Sequence, residues 1–315
     1  MKEIRVLVLS HMYPRSTHPV SGVFVHRQMR YLSEEGCQVR VVSPIPYTPP
    51  LFWNNPERKS YGQTLLSDSI DGIPVFYPRY LRAPGKCFHG ISCYTLYQGV
   101  FRLVDSLMEK FRPHILHTYT ATPDGYTGLL LRKREHLPVV CSLLGSDINV
   151  YPSYRPLTLR LTEKVISEAD QLVAVSQALK SAAEEIAEPK REIQIVYMGC
   201  DLEAFAYDER ARSYIREQLK IAFKDRVLLF LGGILKGKGV FELLSAFTQL
   251  VTRYPDLHLV FVGSGPDSLT LGKRVSEAGL EHKVHLVGRP PHSDIPGWLS
   301  AADIFVLPSH REGLP

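Results

Sequence analysis

Cysteine is scarce and unpatterned in this chain of 315 residues: there are five, at positions 37, 87, 93, 141 and 200, an odd number never spaced as C-x-x-C. Neither a disulfide framework nor a zinc site follows, and a reducing compartment, the cytoplasm, is favoured. Long apolar runs are missing too. The run from Ile4 to Leu9 is short and broken by Arg5, so it does not form the core of a signal peptide, and no run approaches the length of a spanning helix. The sequence therefore predicts a soluble or peripheral protein, at most held at the inner face of a membrane. Neither sign of charge is in large excess. Lys and Arg number 37 against 32 Asp and Glu, a net +5 that is too mild for a dedicated nucleic-acid binder yet compatible with phosphates or anionic lipid. What is present, 44% hydrophobic and 22% charged residues, is globular in kind, and the length calls for two domains rather than one core.

Acid is also absent from one internal stretch. Gly72 to Val104 holds Arg79, Arg82, Lys86 and Arg102, no Asp or Glu, and seven aromatics: Phe76, Tyr77, Tyr80, Phe88, Tyr94, Tyr97 and Phe101. Aromatic, basic surface is what an anionic membrane interface attracts. The spacing of Tyr94, Tyr97 and Phe101 suits core packing of a helix from about Ser92 to Phe111 equally well.

Elsewhere strands and helices alternate. Ile4–Ser10 and Gln38–Ser43 read as strands flanking a helix that Gly22 opens, and two such units announce a parallel, doubly wound sheet. Pro44 to Ser69 reads as irregular. The alternation resumes at Ile115–His117 and continues to a hinge at Glu188-Pro-Lys190, which divides the chain into domains 1–190 and 191–315. In the second domain the apolar strand Val227–Leu231 runs into four glycines, at 232, 233, 237 and 239, with Lys236 and Lys238 between them, and then into a helix. Such a loop lets backbone N–H groups and a helix N-terminus approach a phosphate, with a lysine adding charge. A second glycine turn, Gly263-Ser-Gly265-Pro266, follows strand Leu257–Val262. Its proline and missing third glycine disfavour a dinucleotide-binding dehydrogenase.

Together these motifs resemble the retaining nucleotide-sugar glycosyltransferases of family 4, which have the GT-B fold: two doubly wound Rossmann-like α/β domains facing across a cleft. The resemblance covers essentially the whole chain. It rests on Gly22 in Ser21-Gly-Val-Phe24, Leu144-Gly-Ser-Asp147, Val175-Ser-Gln-Ala-Leu179, Met198-Gly-Cys-Asp201 with Phe205, Gly232-Gly-Ile with Lys238-Gly239, and Gly263–Pro266. The most specific match is Ala302-Asp-Ile-Phe-Val-Leu-Pro-Ser309 followed by Glu312-Gly313. The resemblance implies a donor site at Gly22, Gly232, Gly233, Lys236, Lys238, Gly239, Gly263, Gly265 and Glu312. It also implies Lys238, Glu312, Asp147 and His117 as catalytic candidates, with Asp124 as a further acceptor-side contact. For Asp147 and Asp124, roles as helix caps or turn residues are at least as strong.

The implied activity is metal-independent hexosyl transfer with retention, from a UDP- or GDP-sugar to a polysaccharide or lipid-linked acceptor, with no further cofactor. The departing phosphate would itself take the acceptor proton. No Asp-x-Asp metal motif is present. A GT-B epimerase of nucleotide sugars, or an inactive fragment that only binds donor or partner, would share the fold. Three departures from the family pattern stand out. Gly233 replaces the phosphate-loop arginine, Leu144 replaces the histidine before Gly-Ser-Asp, and the second of a pair of glutamates, of which Glu312 fits the first, would fall beyond Pro315. The chain thus reads as C-terminally truncated, its second domain incomplete.

Overall fold

The computed structural model describes residues 4–53 and 55–313. The chain divides into two compact units, one ending at Gly199 and the other beginning at Cys200.

In the first unit, strands β1 (Arg5–Leu9) and β2 (Gln38–Val42) flank helix α1 (Val23–Glu34). Between Pro44 and Ser69 the structure corrects the expectation of irregular chain. It holds a short strand β3 (Ile45–Pro46), helix α2 (Pro56–Gln63) and the start of strand β4 (Ser67–Ile70). The periodicity there was too short to read, but Asn55 caps α2, its side chain accepting the Glu57 and Arg58 N–H groups. Strands β5 (Ile73–Phe76) and β6 (Arg79–Tyr80) precede the long helix α3 (His89–Lys110). Then come β7 (Ile115–Tyr119), α4 (Tyr126–Glu135), β8 (Val139–Leu143), α5 (Ser146–Asn149) and α6 (Pro156–Glu168). The unit closes with β9 (Gln171–Ala174), α7 (Gln177–Ile186) and β10 (Gln194–Ile195). Ser176 caps α7, its Oγ accepting the Leu179 N–H at 3.2 Å, as the sequence predicts.

The main sheet has eight strands in the order β10-β9-β8-β7-β1-β2-β5-β4, parallel apart from the β4–β5 pair. Its central strands are buried on both faces, which is why β1 and β8 are apolar through most of their length. The pairing of β10 with β9 carries residues beyond Lys190 into this unit, so the boundary falls later than the hinge expected from the prolines.

The second unit contains α8 (Glu209–Gln218), β11 (Arg226–Leu231), α9 (Val240–Leu250), β12 (Leu257–Val262), α10 (Ser268–Glu277), β13 (Val284–Gly288), α11 (Ile295–Ala301) and β14 (Ile304–Phe305). Its strands are all parallel, in the order β13-β12-β11-β14. The edge strand β14 leaves Ile304 and Phe305 about half exposed.

One ion network ties α8 to this sheet. Asp303 accepts from the Arg212 guanidinium at 2.8 Å, from Arg216 at 2.6 Å and from the Val227 N–H at 2.7 Å. Burial raises the Asp303 carboxyl, but these donors outweigh it and hold the group below the usual carboxylate range. A depressed carboxyl contributes stability that is present above the unfolded-state value, near 4, and is lost as pH falls through the folded-state value. Urea unfolding of the second unit should show this acid limb. Asp303→Ala should abolish it and cost about 3–5 kcal/mol, since it takes the counter-ion from the guanidinium of Arg216, which is only 2% exposed and keeps only backbone carbonyls as acceptors. An unchanged acid limb in the variant would refute the assignment.

The aromatics of the stretch from 72 to 104 divide. Tyr77 and Tyr80 are buried, and Phe76, Tyr97 and Phe101 pack against the core of α3, β1 and β7. Phe88 and Tyr94 are exposed, at 41% and 42%. Core packing thus accounts for five of the seven.

Candidate active site

In the second unit, three loops meet at the carboxyl end of the parallel sheet. The loop after β11 is held to the loop after β12 by Gly232 N–H to the Val262 carbonyl (2.9 Å), Ile234 N–H to the Ser264 carbonyl (3.1 Å) and Asp267 N–H to the Ile234 carbonyl (3.2 Å). The third loop follows β14 and joins through the His310 N–H, which donates to the Gly237 carbonyl at 3.0 Å. Glycine is a steric requirement here. A Cβ on Gly263, whose φ is +145°, would lie 1.8 Å from the Gly232 oxygen, and one on Gly239 would lie 2.1 Å from the Pro308 oxygen. Gly265 meets the Ile234 carbonyl just as closely, at 2.2 Å.

Gly239 is also the residue before α9 and offers no capping side chain, while Glu242 places a carboxylate in the first turn. Beside it, Lys238 Nζ pairs with Glu312 Oε1 at 2.5 Å, and Lys236 is exposed with its backbone N–H held by Asp267. The structure thus gathers Gly232, Gly233, Lys236, Lys238, Gly239, Gly263, Gly265 and Glu312 at one end of one sheet. A helix N-terminus beside an ammonium is an anion site in electrostatic terms. Gly233 differs from Gly232, Gly239 and Gly263: its φ is not positive, and a Cβ there meets only the tip of Leu235, at 3.0 Å. Backbone geometry therefore does not explain the missing arginine.

In the first unit, Gly22 opens α1 with φ +60°, and a Cβ there would lie 2.3 Å from the Met12 carbonyl oxygen. The catalytic expectations for Asp147 and His117 are corrected. Asp147 is fully buried and accepts the N–H groups of Ala121 (2.8 Å), Leu144 (3.1 Å) and Gly145 (2.8 Å). It organises the turn after β8 and presents no free oxygen to a substrate. His117 lies inside β7, not at its end, because the strand runs on to Tyr119. Its Nε2 is 2.9 Å from Ser142 Oγ, its ring stacks on Tyr119, and burial pushes its pKa down to about 4. It is a neutral core residue.

What the sequence reading missed is His11, directly after β1. Its Nδ1 lies 2.7 Å from Asp124 Oδ2, which also accepts the His11 N–H at 3.1 Å, and Asp124 is fully buried. With Nδ1 engaged, Nε2 is the ring atom left for a ligand. His11 lines a cavity of about 300 Å³ whose walls include Arg82, Lys86, His89, Tyr151 and Tyr154. A histidine placed at the carboxyl end of the first parallel strand was the available signal.

The chain as a whole is similar to known proteins. A family model described as Glycosyltransferase Family 4 matches residues 21–204, and one described as Glycosyl transferases group 1 matches residues 211–315. The chain belongs to glycosyltransferase family 4. Among members of known naming, the putative teichuronic acid biosynthesis glycosyltransferase TuaC of Bacillus subtilis is 28% identical over 319 residues, which cover 99% of this chain and 77% of TuaC. The N-acetyl-alpha-D-glucosaminyl L-malate synthase of Bacillus anthracis is 28% identical over 63% of this chain and 51% of its own length. The family 4 chain shares its fold with sucrose-phosphate synthase from Thermosynechococcus elongatus (TM-score 0.75, 17% identity, 99% of this chain and 77% of that one). It does so equally with Anabaena Alr3699/HepE in complex with UDP (TM-score 0.70, 17% identity, 97% and 74%). The fold is GT-B, as expected from the motifs.

Proposed function

We propose that this glycosyltransferase moves a hexosyl group from a UDP- or GDP-sugar to a glycan or lipid-linked acceptor, with retention and without a metal ion. One observation carries the donor half: glycine loops, the uncapped start of α9 and Lys238 converge at one end of the second unit's sheet. Departure of the nucleotide develops negative charge on the diphosphate, and fixed donors aimed at that charge favour the transition state over the ground state. The UDP held by the Anabaena relative fits such a site. On the acceptor side, His11 held by Asp124 supplies a hydrogen-bonding atom to orient a hydroxyl. Retention needs no strong protein base if the leaving phosphate takes the acceptor proton on the same face.

Thermal-shift screening with UDP, GDP, ADP and their sugars identifies the donor, because a ligand that binds only the folded state raises the melting temperature. Transfer assays on the best donor then follow, with the product anomer read by NMR. Turnover abolished by EDTA would overturn metal independence, and an inverted anomer would overturn retention. Appearance of an epimer without glycosylated product would make the chain a nucleotide-sugar epimerase instead.

We further propose peripheral contact with anionic membrane through Leu81, Phe88, Ile91 and Tyr94, all exposed beside Arg82 and Lys86. Sedimentation with anionic vesicles should succeed at low salt and fail at high salt. No sedimentation at low salt would remove the membrane from the scheme.

A further inference from the structure

The cavity of about 300 Å³ in the first unit has a charge pattern that a site for a neutral sugar does not need. Two of its lining residues are cations, Arg82 and Lys86, and none is a carboxylate. Asp124, behind His11, is fully buried, and its Oδ2 is taken by His11. Neither cation has an ion-pair partner among the described residues. Both lie on the segment between β6 and α3, and no Asp or Glu occurs anywhere from 72 to 104.

The lining is also aromatic. Lys86 Nζ stands 5.3 Å from the centroid of the Tyr154 ring, His89 packs on Tyr151 at 4.3 Å, and the Tyr151 and Tyr154 rings are 5.5 Å apart. Burial, first of all, pushes the His89 pKa down to about 4, so His89 adds no charge of its own at neutral pH. A volume near the lower end of the roughly 300–1,000 Å³ common for small-molecule sites suits one sugar ring with a charged substituent.

We propose that this cavity receives an anionic saccharide, its phosphate or carboxylate between Arg82 and Lys86, its ring against Tyr151 and Tyr154, and a hydroxyl toward His11. The inference rests on the first unit being the acceptor side, and it names the chemical class of the acceptor. Guanidinium and ammonium groups bind such anions through charge-assisted hydrogen bonds, and the paired tyrosines offer flat apolar faces to the ring.

Ligand-observed NMR titrations on the whole chain provide the test, with glucose 6-phosphate, glucuronate, inorganic phosphate and glucose as probes. Either charged sugar should bind at least about tenfold more tightly than glucose, and the preference should shrink with added salt. Comparing glucose 6-phosphate with glucuronate decides between phosphate and carboxylate, and inorganic phosphate alone should bind more weakly than the phosphorylated sugar. Arg82→Gln with Lys86→Gln should erase the preference with the melting temperature unchanged, because both side chains are exposed. Tyr154→Ala should weaken charged and neutral sugars alike.

Equal affinity for glucose and glucuronate, or full retention of anion binding in the double variant, overturns the proposal. So does binding of anionic vesicles that the double variant abolishes while no soluble charged sugar binds. Failure of the underlying reading looks different. A charged sugar that binds in the cavity but receives no hexosyl group from the donor keeps the anion site and removes the acceptor assignment.

Discussion

Lys238→Ala is expected to weaken UDP or GDP binding roughly ten- to a hundredfold, about 1.5–3 kcal/mol, while leaving nucleoside affinity almost unchanged. The ammonium sits beside the start of α9, where the N-cap residue is Gly239 and supplies no capping side chain. Two effects of the variant act in the same direction. The diphosphate loses a charge-assisted contact, and the Glu312 carboxylate loses the Lys238 counter-charge that faces it at 2.5 Å, next to the phosphates. Glu312→Gln separates them. In the Lys238→Ala background it should recover only the repulsive part, and the double-mutant cycle gives the direct contact by difference. Gly233→Arg in the same background should restore further affinity, because the backbone at 233 admits a side chain at the cost of moving only the tip of Leu235. Isothermal titration of UDP and of uridine against each variant checks all three. Equal UDP affinity in Lys238→Ala and the parent protein would remove the loop after β11 from the donor site.

The legible part of this site was the part made of backbone. Glycines at 239, 263 and 265 are readable because no other residue fits where a carbonyl group approaches within a Cβ's reach, so sequence and geometry carry the same information. The parallel strands were readable for a similar reason: burial on both faces leaves a continuous apolar run. Side-chain roles were less legible. Asp147 and Asp303 both stand in motif positions, yet both are consumed by neighbouring donors, three backbone N–H groups for Asp147 and two guanidiniums with one N–H for Asp303. A motif marks a constrained residue, and the constraint in these two is folding. His117 misled because the strand end was placed two residues early, which turned a core histidine into a cleft residue. His11 and Asp124 are far apart in sequence, and only the adjacency of β1 and β7 in the sheet brings them together. The cavity of the first unit depends on that adjacency and on the short turns after α5, which carry no periodic signal.

Asp147→Ala should be the most destabilising single change in the first unit's turn network, costing about 3–5 kcal/mol, because three N–H groups, two of them buried, lose their acceptor at once. The groups lie on two separate segments. Leu144 and Gly145 belong to the turn after β8, and Ala121 belongs to the chain leaving β7, so the carboxylate staples neighbouring strand ends together. Gly145, with φ +139°, lets the turn reverse tightly enough for its N–H to reach Asp147. Asp147→Asn should cost nearly as much, since its amide keeps one acceptor oxygen but turns an NH2 group toward donors. Because the chain from Ala121 leads to Asp124, loosening the staple should also disturb His11, and activity should fall together with stability. Denaturant unfolding and acceptor titration on the same variants separate structure from chemistry. A staple predicts a lower melting temperature and a weakened acceptor KM, with kcat partly restored by cooling or by a stabilising ligand. A catalytic carboxylate predicts lost kcat at unchanged stability, and that result would return Asp147 to the reacting centre.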